Sequence, residues 1–149
     1  KPKLILDMGT GSGILAIAAY RLWKKPVLAI DNDREATRVA VRHRRINGIP
    51  AGEKGMSCAS GNGYQARPVK QAKKFDVIIA NILAGPLVEM APNLAANLAK
   101  GGVAVLSGLL TTQEADVLAA HKAVGLKKKE RIVHDDWCTL ILEQKTADG

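Results

Sequence analysis

The chain has 149 residues, 47% of them hydrophobic and 24% charged, a composition that is typical of one globular domain and not of a disordered chain. Lys and Arg together number 22 against 14 Asp and Glu, so the formal net charge of +8 favours anionic partners but does not bear on the fold. No apolar run reaches the roughly 18–20 residues of a membrane helix, and the two cysteines form no metal-binding cluster, so we expect a cytoplasmic protein without a metal or a membrane partner.

The first half of the chain alternates predicted strands with predicted helices. Its five elements, in chain order, are a strand at 4–8, a helix at 13–23, a strand at 26–30, a helix at 33–46 and a strand at 56–60. We expect Ile14, Ile17 and Ala18 to form the apolar face of the first helix, and Asp33 to cap the second. This alternation is typical of parallel strands joined by crossover helices.

The second half begins with the clearest strand, at residues 75–80, which ends immediately before Asn81. Pro86 and Pro92 each suit the first position of a helix, so two successive helices are predicted, with Gly101-Gly102 ending the second. The remaining predicted elements are a strand at 103–106, a helix at 112–124 and two strands at 126–133 and 136–142.

The order of these elements predicts the fold class. Alternating strands and helices indicate an α/β, doubly wound and mostly parallel sheet of seven strands, within a single domain of residues 1–149. The link between the last two strands is too short for a parallel crossover, so an antiparallel strand is expected near the C-terminus. In such a sheet, ligands bind beyond the carboxyl ends of the strands.

Three glycines, Gly9, Gly11 and Gly13, fall within five residues directly after the first strand. Glycine allows a tight turn and close approach of the backbone to a ligand, and the N-terminus of the following helix carries partial positive charge. Asp31 ends the second strand 20 residues after Gly11, where a carboxylate can accept hydrogen bonds from both hydroxyls of a ribose. Together these residues predict a nucleoside-binding site.

The spacing alone does not choose the nucleoside. Residues 11–16 also satisfy the dinucleotide-binding pattern G-x-G-x-x-G/A, with Asp31 as its acidic partner, so a nicotinamide-dependent oxidoreductase remains an alternative. A second alternative is an RNA methyltransferase. The net charge favours it, as do four arginines on one face of the predicted helix at 33–46.

Further motifs make a family recognisable. Residues 7–18, Asp-Met-Gly-Thr-Gly-Ser-Gly-Ile-Leu-Ala-Ile-Ala, resemble the first motif of class I S-adenosylmethionine-dependent methyltransferases. Residues 81–87, Asn-Ile-Leu-Ala-Gly-Pro-Leu, together with Leu-Ser-Gly-Leu-Leu at 106–110, are similar to a narrower family, the bacterial methyltransferases that act on ribosomal large-subunit protein eleven. The resemblance extends over residues 4–142 and implies a Rossmann-like methyltransferase fold with protein N-methyltransferase activity.

The resemblance also implies which residues bind S-adenosylmethionine. The glycine loop would approach its methionine part, Asp31 its ribose and Asn62 its adenine, while Asn81 would face both the cofactor and the incoming amine as the catalytic residue. The complete set of implied cofactor-binding residues is Asp7, Gly9, Thr10, Gly11, Gly13, Asp31, Asn32, Asn62 and Asn81. Asn62 departs from the family, which usually has an acidic residue at that point.

The family's activity implies a partner and a further region of chain. The implied substrate is a ribosomal large-subunit protein, methylated on lysine side chains or on its N-terminal amine, and direct binding of nucleic acid is not expected. Family members also have an amino-terminal substrate-binding domain and a cofactor-contacting segment before the first strand. Because this chain begins three residues before that strand, we expect a fragment that binds S-adenosylmethionine weakly and methylates poorly.

Overall fold

The computed structural model describes residues 2–144, which divide into two compact units between Lys73 and Lys74. Each unit has its own strands with helices packed on them. No helix within residues 2–144 combines the length and the hydropathy needed to span a bilayer.

The first unit has three strands and three helices. They are, in chain order, β1 (Ile5–Met8), α1 (Ile14–Trp23), β2 (Val27–Asp31), α2 (Arg34–Ile46), β3 (Met56–Ser60) and α3 (Arg67–Gln71). The strands are parallel in the order β3-β2-β1, with Ile5 beside Val27 and Val27 beside Met56. The strands and the two longer helices predicted here are confirmed. The sequence allows a helix between β3 and β4 but gives no bounds for it, because one short turn of helix has too few residues to show an apolar period.

The helix α1 buries a different face from the one predicted. Ala16, Ile17 and Ala19 are buried, whereas Ile14 is 66% exposed and Ala18 is also exposed. The predicted face is therefore wrong at two of its three positions. The two buried alanines have small side chains, which let α1 lie close to β1 and β2. A helix face with bulkier side chains would not pack as closely against these strands.

The helix α2 begins where the sequence predicts. The side chain of Asp33 accepts a hydrogen bond of 2.9 Å from the amide of Glu35, which would otherwise have no partner within the helix. The cap confirms that Asp33 marks the boundary between the end of β2 and the helix.

The second unit has four strands and two helices. They are β4 (Phe75–Asn81), α4 (Ala84–Asn97), β5 (Leu98–Leu110), α5 (Glu114–Lys122), β6 (Leu126–His134) and β7 (Trp137–Gln144). The strands lie in the order β4-β5-β7-β6, with β4 and β5 parallel and β7 antiparallel to both of its neighbours. The antiparallel strand predicted near the C-terminus is confirmed, and Asp135-Asp136 form the turn before it.

A single helix, α4, replaces the two helices predicted from Pro86 and Pro92. Pro92 lies inside α4 and has no amide hydrogen to donate to the carbonyl of Val88, four residues earlier. Val88 is on the exposed side of the helix, where water can satisfy that carbonyl. Leu87 and Leu94 are buried, and their packing favours one continuous helix across the proline.

The strand β5 begins at Leu98, so the prediction that Gly101-Gly102 ends a helix and that the strand starts at Val103 is wrong. The strand pairs with β4 at Leu98, loses register, and resumes its pairing at Val103. Gly101 has a left-handed φ of 71°, and a Cβ on Gly102 would lie 2.8 Å from the side chain of Leu98. The two glycines therefore allow an irregularity inside one long strand.

The strands of the second unit have one covered face and one partly open face. The helix α4 packs on β4 and β5, and α5 packs on α4 and β6. Along β5 and β7, fully buried residues such as Leu106 and Leu140 alternate with half-exposed ones such as Val105 and Ile141. Side chains in a strand point to the two faces in turn, so this alternation identifies the face that the helices cover.

Candidate functional site

The loop between β1 and α1 folds over the carboxyl end of β2. The amides of Gly9 and Thr10 both donate hydrogen bonds of 2.8 Å to the carbonyl of Ile30. Gly9 and Gly11 have φ angles of 77° and 56°, in the left-handed region that glycine adopts without steric cost. The predicted glycine loop is therefore a tight turn at the carboxyl ends of two adjacent strands.

Asp31 is tied to this loop by its side chain. Its Oδ2 accepts a hydrogen bond of 2.8 Å from the amide of Gly11, and its Oδ1 accepts one of 2.9 Å from the amide of Asp33. These contacts orient the carboxylate and leave further lone pairs on both oxygens, because a carboxylate can accept about four hydrogen bonds. The structure thus brings together the two parts of the predicted nucleoside site.

Asp7 is a buried carboxylate at the start of the loop, only 1% exposed. Its Oδ2 accepts a hydrogen bond of 2.8 Å from the hydroxyl of Thr10, and its Oδ1 accepts none from the described residues. Burial raises the pKa of Asp7 from 3.8 to about 6, and the Thr10 hydroxyl and the nearby amide of Ala16 offset this rise only in part. A cation near Oδ1 would favour the ionised carboxylate, so Asp7 suits a positively charged part of a ligand.

The second and third glycines of the loop have different surroundings. A Cβ built on Gly11 would meet no atom within 4 Å beyond its chain neighbours, so the space there is open to a ligand. A Cβ built on Gly13 would lie 3.1 Å from the Cβ of Ala40 and 3.3 Å from the Cε of Met56. Gly13 therefore permits close packing of α1 against α2 and β3.

Asn32 and Asn62 are exposed at the same edge of the first unit. The amide of Gly61 donates a hydrogen bond of 2.9 Å to the carbonyl of Asp31, which holds the loop after β3 beside the end of β2. Asn62 consequently lies next to the predicted ribose position, with its side chain towards solvent. Tyr64, two residues further on, is buried and packs within the unit.

His43 is a support of the glycine loop that sequence reasoning missed. Its Nδ1 lies 2.8 Å from the carbonyl oxygen of Ser12. A carbonyl can only accept, so this ring nitrogen carries the hydrogen and donates it. The bond joins α2 to the start of α1, and no local motif signals a contact between residues so far apart in sequence.

In the second unit, Asn81 ends β4 in register with Ser107 of β5, and its side chain is exposed. Gly108 has a left-handed φ of 79°, and a Cβ there would lie 2.6 Å from the Oδ1 of Asn81. Only glycine fits at that position without displacing the amide. The two motifs of this half of the chain that carry the family resemblance are thus neighbours in space.

A cavity of about 230 Å³ opens beside Asn81. Its walls come from the ends of β4 and β5 and from the hairpin of β6 and β7. The lining residues are Asn81, Ser107, Gly108, Ile132, His134, Trp137, Cys138 and Thr139. Sequence reasoning missed Trp137 and Ile132, because only the strand pairing determines which face of a hairpin residue meets the cavity.

The chemistry available at these sites is binding and orientation. In the described part of the chain, no group of three or more His, Cys, Asp or Glu side chains is placed to hold a metal ion. Cys58 and Cys138 are free, and burial raises the pKa of both thiols, which makes them poor nucleophiles at pH 7. Carboxylates in the first unit could bind a ribose and a cation, and the amide of Asn81 could bind an amine.

Comparison with known proteins identifies the family. The family described as ribosomal protein L11 methyltransferase (PrmA) matches residues 1–145, nearly the whole chain. The chain belongs to this family. The resemblance noted at residues 7–18, 81–87 and 106–110 is therefore confirmed.

Curated relatives in the PrmA family are similar to the chain over part of their own length. The ribosomal protein L11 methyltransferase of Rhizobium meliloti (strain 1021) is 47% identical over 137 residues, covering 92% of this chain and 46% of that protein. The one from Allorhizobium ampelinum is 43% identical over 143 residues, covering 96% and 48%. The chain spans about half the length of the curated relatives it matches.

Solved structures give the same result for the fold. The ribosomal protein L11 methylase of Lactobacillus delbrueckii subsp. bulgaricus superposes with a TM-score of 0.85 at 32% identity, covering 97% of this chain and 71% of that one. A methyltransferase from Pyrococcus furiosus has a TM-score of 0.78 at 19% identity, covering 96% and 75%. The predicted fold class, a doubly wound and mostly parallel seven-stranded sheet of the Rossmann-like methyltransferase type, is confirmed for this PrmA family member.

Proposed function

We propose that residues 1–149 are the S-adenosylmethionine-binding domain of a protein N-methyltransferase that acts on ribosomal protein L11. The observation that carries the proposal is the hydrogen bond between the glycine loop and Asp31, which joins the two parts of the predicted nucleoside site in a member of the PrmA family. The curated relatives are named for methylation of L11, which supports that substrate and, with it, a cytoplasmic location.

Groups in the first unit support the binding of S-adenosylmethionine. Asp31 would accept hydrogen bonds from the ribose hydroxyls, the open space at Gly11 would admit the ligand close to the backbone, and Oδ1 of Asp7 would face a cationic group. Asn32 and Asn62 would contact the adenosine part from the exposed edge. S-adenosylmethionine supplies a methyl group on a positively charged sulfur, already activated for transfer, so the contribution of the protein is binding and positioning.

Asn81 would orient the amine that accepts the methyl group. A lysine amine has a pKa of about 10.4, so obtaining its neutral form at pH 7 costs about 4.6 kcal/mol, and only the neutral nitrogen has a lone pair for the reaction. The Oδ1 of Asn81 can accept a hydrogen bond from that nitrogen without the full negative charge that would keep it protonated. The backbone of Gly108 beside this oxygen limits where the amide can point.

RNA is the second candidate substrate. The observation that favours it is a surface groove on α2 of about 440 Å³, lined by the exposed side chains of Arg38, Arg42 and Arg45. Guanidinium groups bind phosphates well, but basic helix faces are also common on proteins that bind no nucleic acid. Membership of the PrmA family favours the protein substrate.

Calorimetry with the chain tests the cofactor, and a transfer assay tests the substrate. We expect S-adenosylhomocysteine to bind with measurable heat and NAD to give none; the reverse result would identify an oxidoreductase. Labelled S-adenosylmethionine is then incubated with the chain, or with a full-length relative, and with L11 or ribosomal RNA in parallel. Label in the protein supports the proposal, and label in RNA alone refutes it.

The variant Asp31→Ala locates the ribose. We expect it to weaken S-adenosylhomocysteine binding by about 1.5–3 kcal/mol, the range for hydrogen bonds to a charged group. Because Asp31 also accepts the amides of Gly11 and Asp33, the matched control is Asp33→Ala, which removes a helix cap and leaves the Asp31 carboxylate in place. Affinity that is unchanged in a folded Asp31→Ala protein would place the ribose elsewhere.

A further inference from the structure

The glycine loop between β1 and α1 has little stiffness of its own. Gly9, Gly11 and Gly13 have left-handed φ angles of 77°, 56° and 85°, and glycine has more backbone conformations to choose from than any other residue. Each of the three must lose that freedom when the loop takes one shape. No side chain caps α1, because Gly13 occupies its N-cap position. The shape of the loop therefore depends on groups outside it.

The end of β2 restrains the first half of the loop. The carbonyl of Ile30 accepts hydrogen bonds of 2.8 Å from the amides of Gly9 and Thr10. The carboxylate of Asp31 accepts one, also of 2.8 Å, from the amide of Gly11. These contacts stop before the peptide unit that joins the loop to α1.

That last peptide unit, between Ser12 and Gly13, is held at both ends. Its N–H donates a hydrogen bond of 3.0 Å to the carbonyl of Thr10, and its carbonyl accepts one of 2.8 Å from the Nδ1 of His43. A trans peptide unit is planar, with its N–H and C=O pointing in opposite directions, so the two bonds fix its orientation. The bond to Thr10 lies within the loop and would move with it, whereas His43 belongs to α2.

The packing of α2 brings His43 to this place. Ala40 is buried three residues earlier, and a Cβ built on Gly13 would lie 3.1 Å from the Cβ of Ala40. Residues three apart in a helix lie on the same face, so Ala40 and His43 both face the start of α1. The small side chain of Ala40 allows the close approach that puts the ring of His43 within reach of Ser12.

We propose that His43 is a positioning residue for S-adenosylmethionine, which acts through the carbonyl of Ser12 by holding the glycine loop in the shape that admits the cofactor. The inference rests on the proposed function and adds a residue from outside the loop to it. The open space at Gly11 adjoins Ser12, so a turn of the Ser12 peptide would alter that space. Without the bond from His43, the loop is ordered only when the cofactor binds, and the cost of ordering it lowers the affinity.

Substitutions at residue 43 separate the donated hydrogen from the ring. His43→Phe keeps a ring without an N–H, and His43→Ala removes both. His43→Asn has an amide nitrogen that is as many bonds from the backbone as Nδ1 is, and it can donate. We expect His43→Phe and His43→Ala to weaken S-adenosylhomocysteine binding about three- to tenfold, the effect of one lost hydrogen bond, and His43→Asn to restore most of the affinity.

The matched control is Arg44→Met in the same helix. Arg44 donates a hydrogen bond of 2.8 Å to the carbonyl of Ile49, which follows α2, so its loss leaves the contact with the glycine loop in place. We expect Arg44→Met to bind S-adenosylhomocysteine as the unaltered chain does. Equal losses in His43→Phe and His43→Asn would overturn the proposal, and so would a loss in Arg44→Met as large as that in His43→Phe.

A measurement without any ligand separates this proposal from the proposed function. Order parameters from NMR relaxation should be lower for the amides of Gly11 and Gly13 in His43→Phe than in the unaltered chain, and His43→Asn should restore them. If the unaltered chain binds no S-adenosylhomocysteine, the proposed cofactor is refuted, and the order parameters decide whether His43 holds the loop. If the unaltered chain and both variants without a donor bind it equally well, the positioning role of His43 alone is refuted.

Discussion

A carboxylate that is buried and short of hydrogen bonds resists ionisation until a cation approaches it, and Asp7 is in that position. One of its oxygens is bonded to Thr10 and the other has no partner among the described residues. The pKa of Asp7 is raised because the fold buries this carboxylate without fully stabilising its charge. Strongly perturbed pKa values cluster at functional sites, so Asp7 is a candidate binding residue.

The pKa of Asp7 predicts how stability depends on pH. The carboxyl group ionises near pH 3.8 in the unfolded chain and near pH 6 in the folded one, so the folded state holds more protons between these values. Its contribution to the free energy of unfolding is full below pH 3.8 and is lost as pH rises through about 6, a loss of about 3 kcal/mol.

Urea unfolding at pH 4 and pH 7.5 measures this effect, with Asp7→Asn as the comparison. The asparagine does not titrate, so the decline with rising pH should be about 3 kcal/mol smaller in the variant. If both proteins show the same pH dependence, the carboxyl group of Asp7 is not buried as described.

Asn81 is the residue whose role is tested best by kinetics. We expect Asn81→Ala to lower methyl transfer about tenfold or more, the equivalent of one lost hydrogen bond, while S-adenosylhomocysteine binding changes little. Asn81→Asp has the same shape and fits beside Gly108, but its charge would keep the amine protonated.

The pH–rate profile of Asn81→Asp is the decisive measurement. Its optimum should move to higher pH than that of the unaltered protein, because more of the amine must be deprotonated by the solution. Loss of cofactor affinity equal to the loss of rate in Asn81→Ala would instead assign Asn81 to cofactor binding alone.

At the scale of elements, two of the three glycines in the turn between β1 and α1, Gly11 and Gly13, have different roles. Gly13 has a φ of 85° and is surrounded by Ala40 and Met56, whereas Gly11 has a φ of 56° and open space beside it. We expect Gly13→Ala to lower the free energy of unfolding by about 1–3 kcal/mol, from strain and crowding together. Gly11→Ala should cost about 1 kcal/mol, from strain alone.

The two variants should rank in the opposite order by their loss of affinity for S-adenosylhomocysteine. The Cβ in Gly11→Ala would occupy the open space of the nucleoside site, so this variant should lose more affinity for S-adenosylhomocysteine than Gly13→Ala does. Urea unfolding and calorimetry on the same two proteins give both orders. If the same variant lost more stability and also more affinity, the two glycines would have one common role.

Elements that sequence reasoning misjudged are those in which tertiary contacts outweigh local preference. Proline favours the start of a helix, yet Pro92 lies inside α4 because Leu87 and Leu94 are buried on either side of it. A pair of glycines favours a break, yet β5 runs through Gly101-Gly102 because β4 offers hydrogen bonds to the residues before and after them.

At the scale of the whole molecule, the excess of positive charge is the property that bears on partners. The arginines that line the groove on α2 are exposed, and Arg38 has Glu35 at 3.3 Å as a partner. We expect no sequence-specific binding of RNA: any association through these arginines should be weak, equal for unrelated RNAs, and should fall steeply between about 50 and 200 mM salt.

Filter binding with unrelated RNAs of equal length tests this expectation. Replacing Arg38, Arg42 and Arg45 by alanine should reduce the affinity for all of them alike, and Lys127, Lys128 and Lys129 on β6 provide a control of equal charge. A preference of more than about tenfold for a ribosomal RNA segment would favour the RNA substrate over L11.

The class of fold, the family and the positions of the main candidate site residues at the ends of strands follow from local patterns in the sequence. The glycine loop, Asp31 and Asn81 could be found because each directly follows an apolar strand, and the ends of such strands are local features of sequence. Capping at Asp33 was predictable for the same reason, since a cap depends on residues within one helical turn.

Which of these residues meet depends on contacts between elements that are distant in sequence. The contact of Asn81 with Gly108 depends on the register of β4 and β5. The hydrogen bond from His43 to Ser12 depends on how α2 packs. Trp137 is exposed because it lies on the outward face of the hairpin of β6 and β7. Register and packing result from many weak contacts between residues distant in sequence, and a shift by one residue would exchange the faces of a strand. No short pattern in the sequence contains that information, so the cavity beside Asn81 becomes visible only in the folded chain.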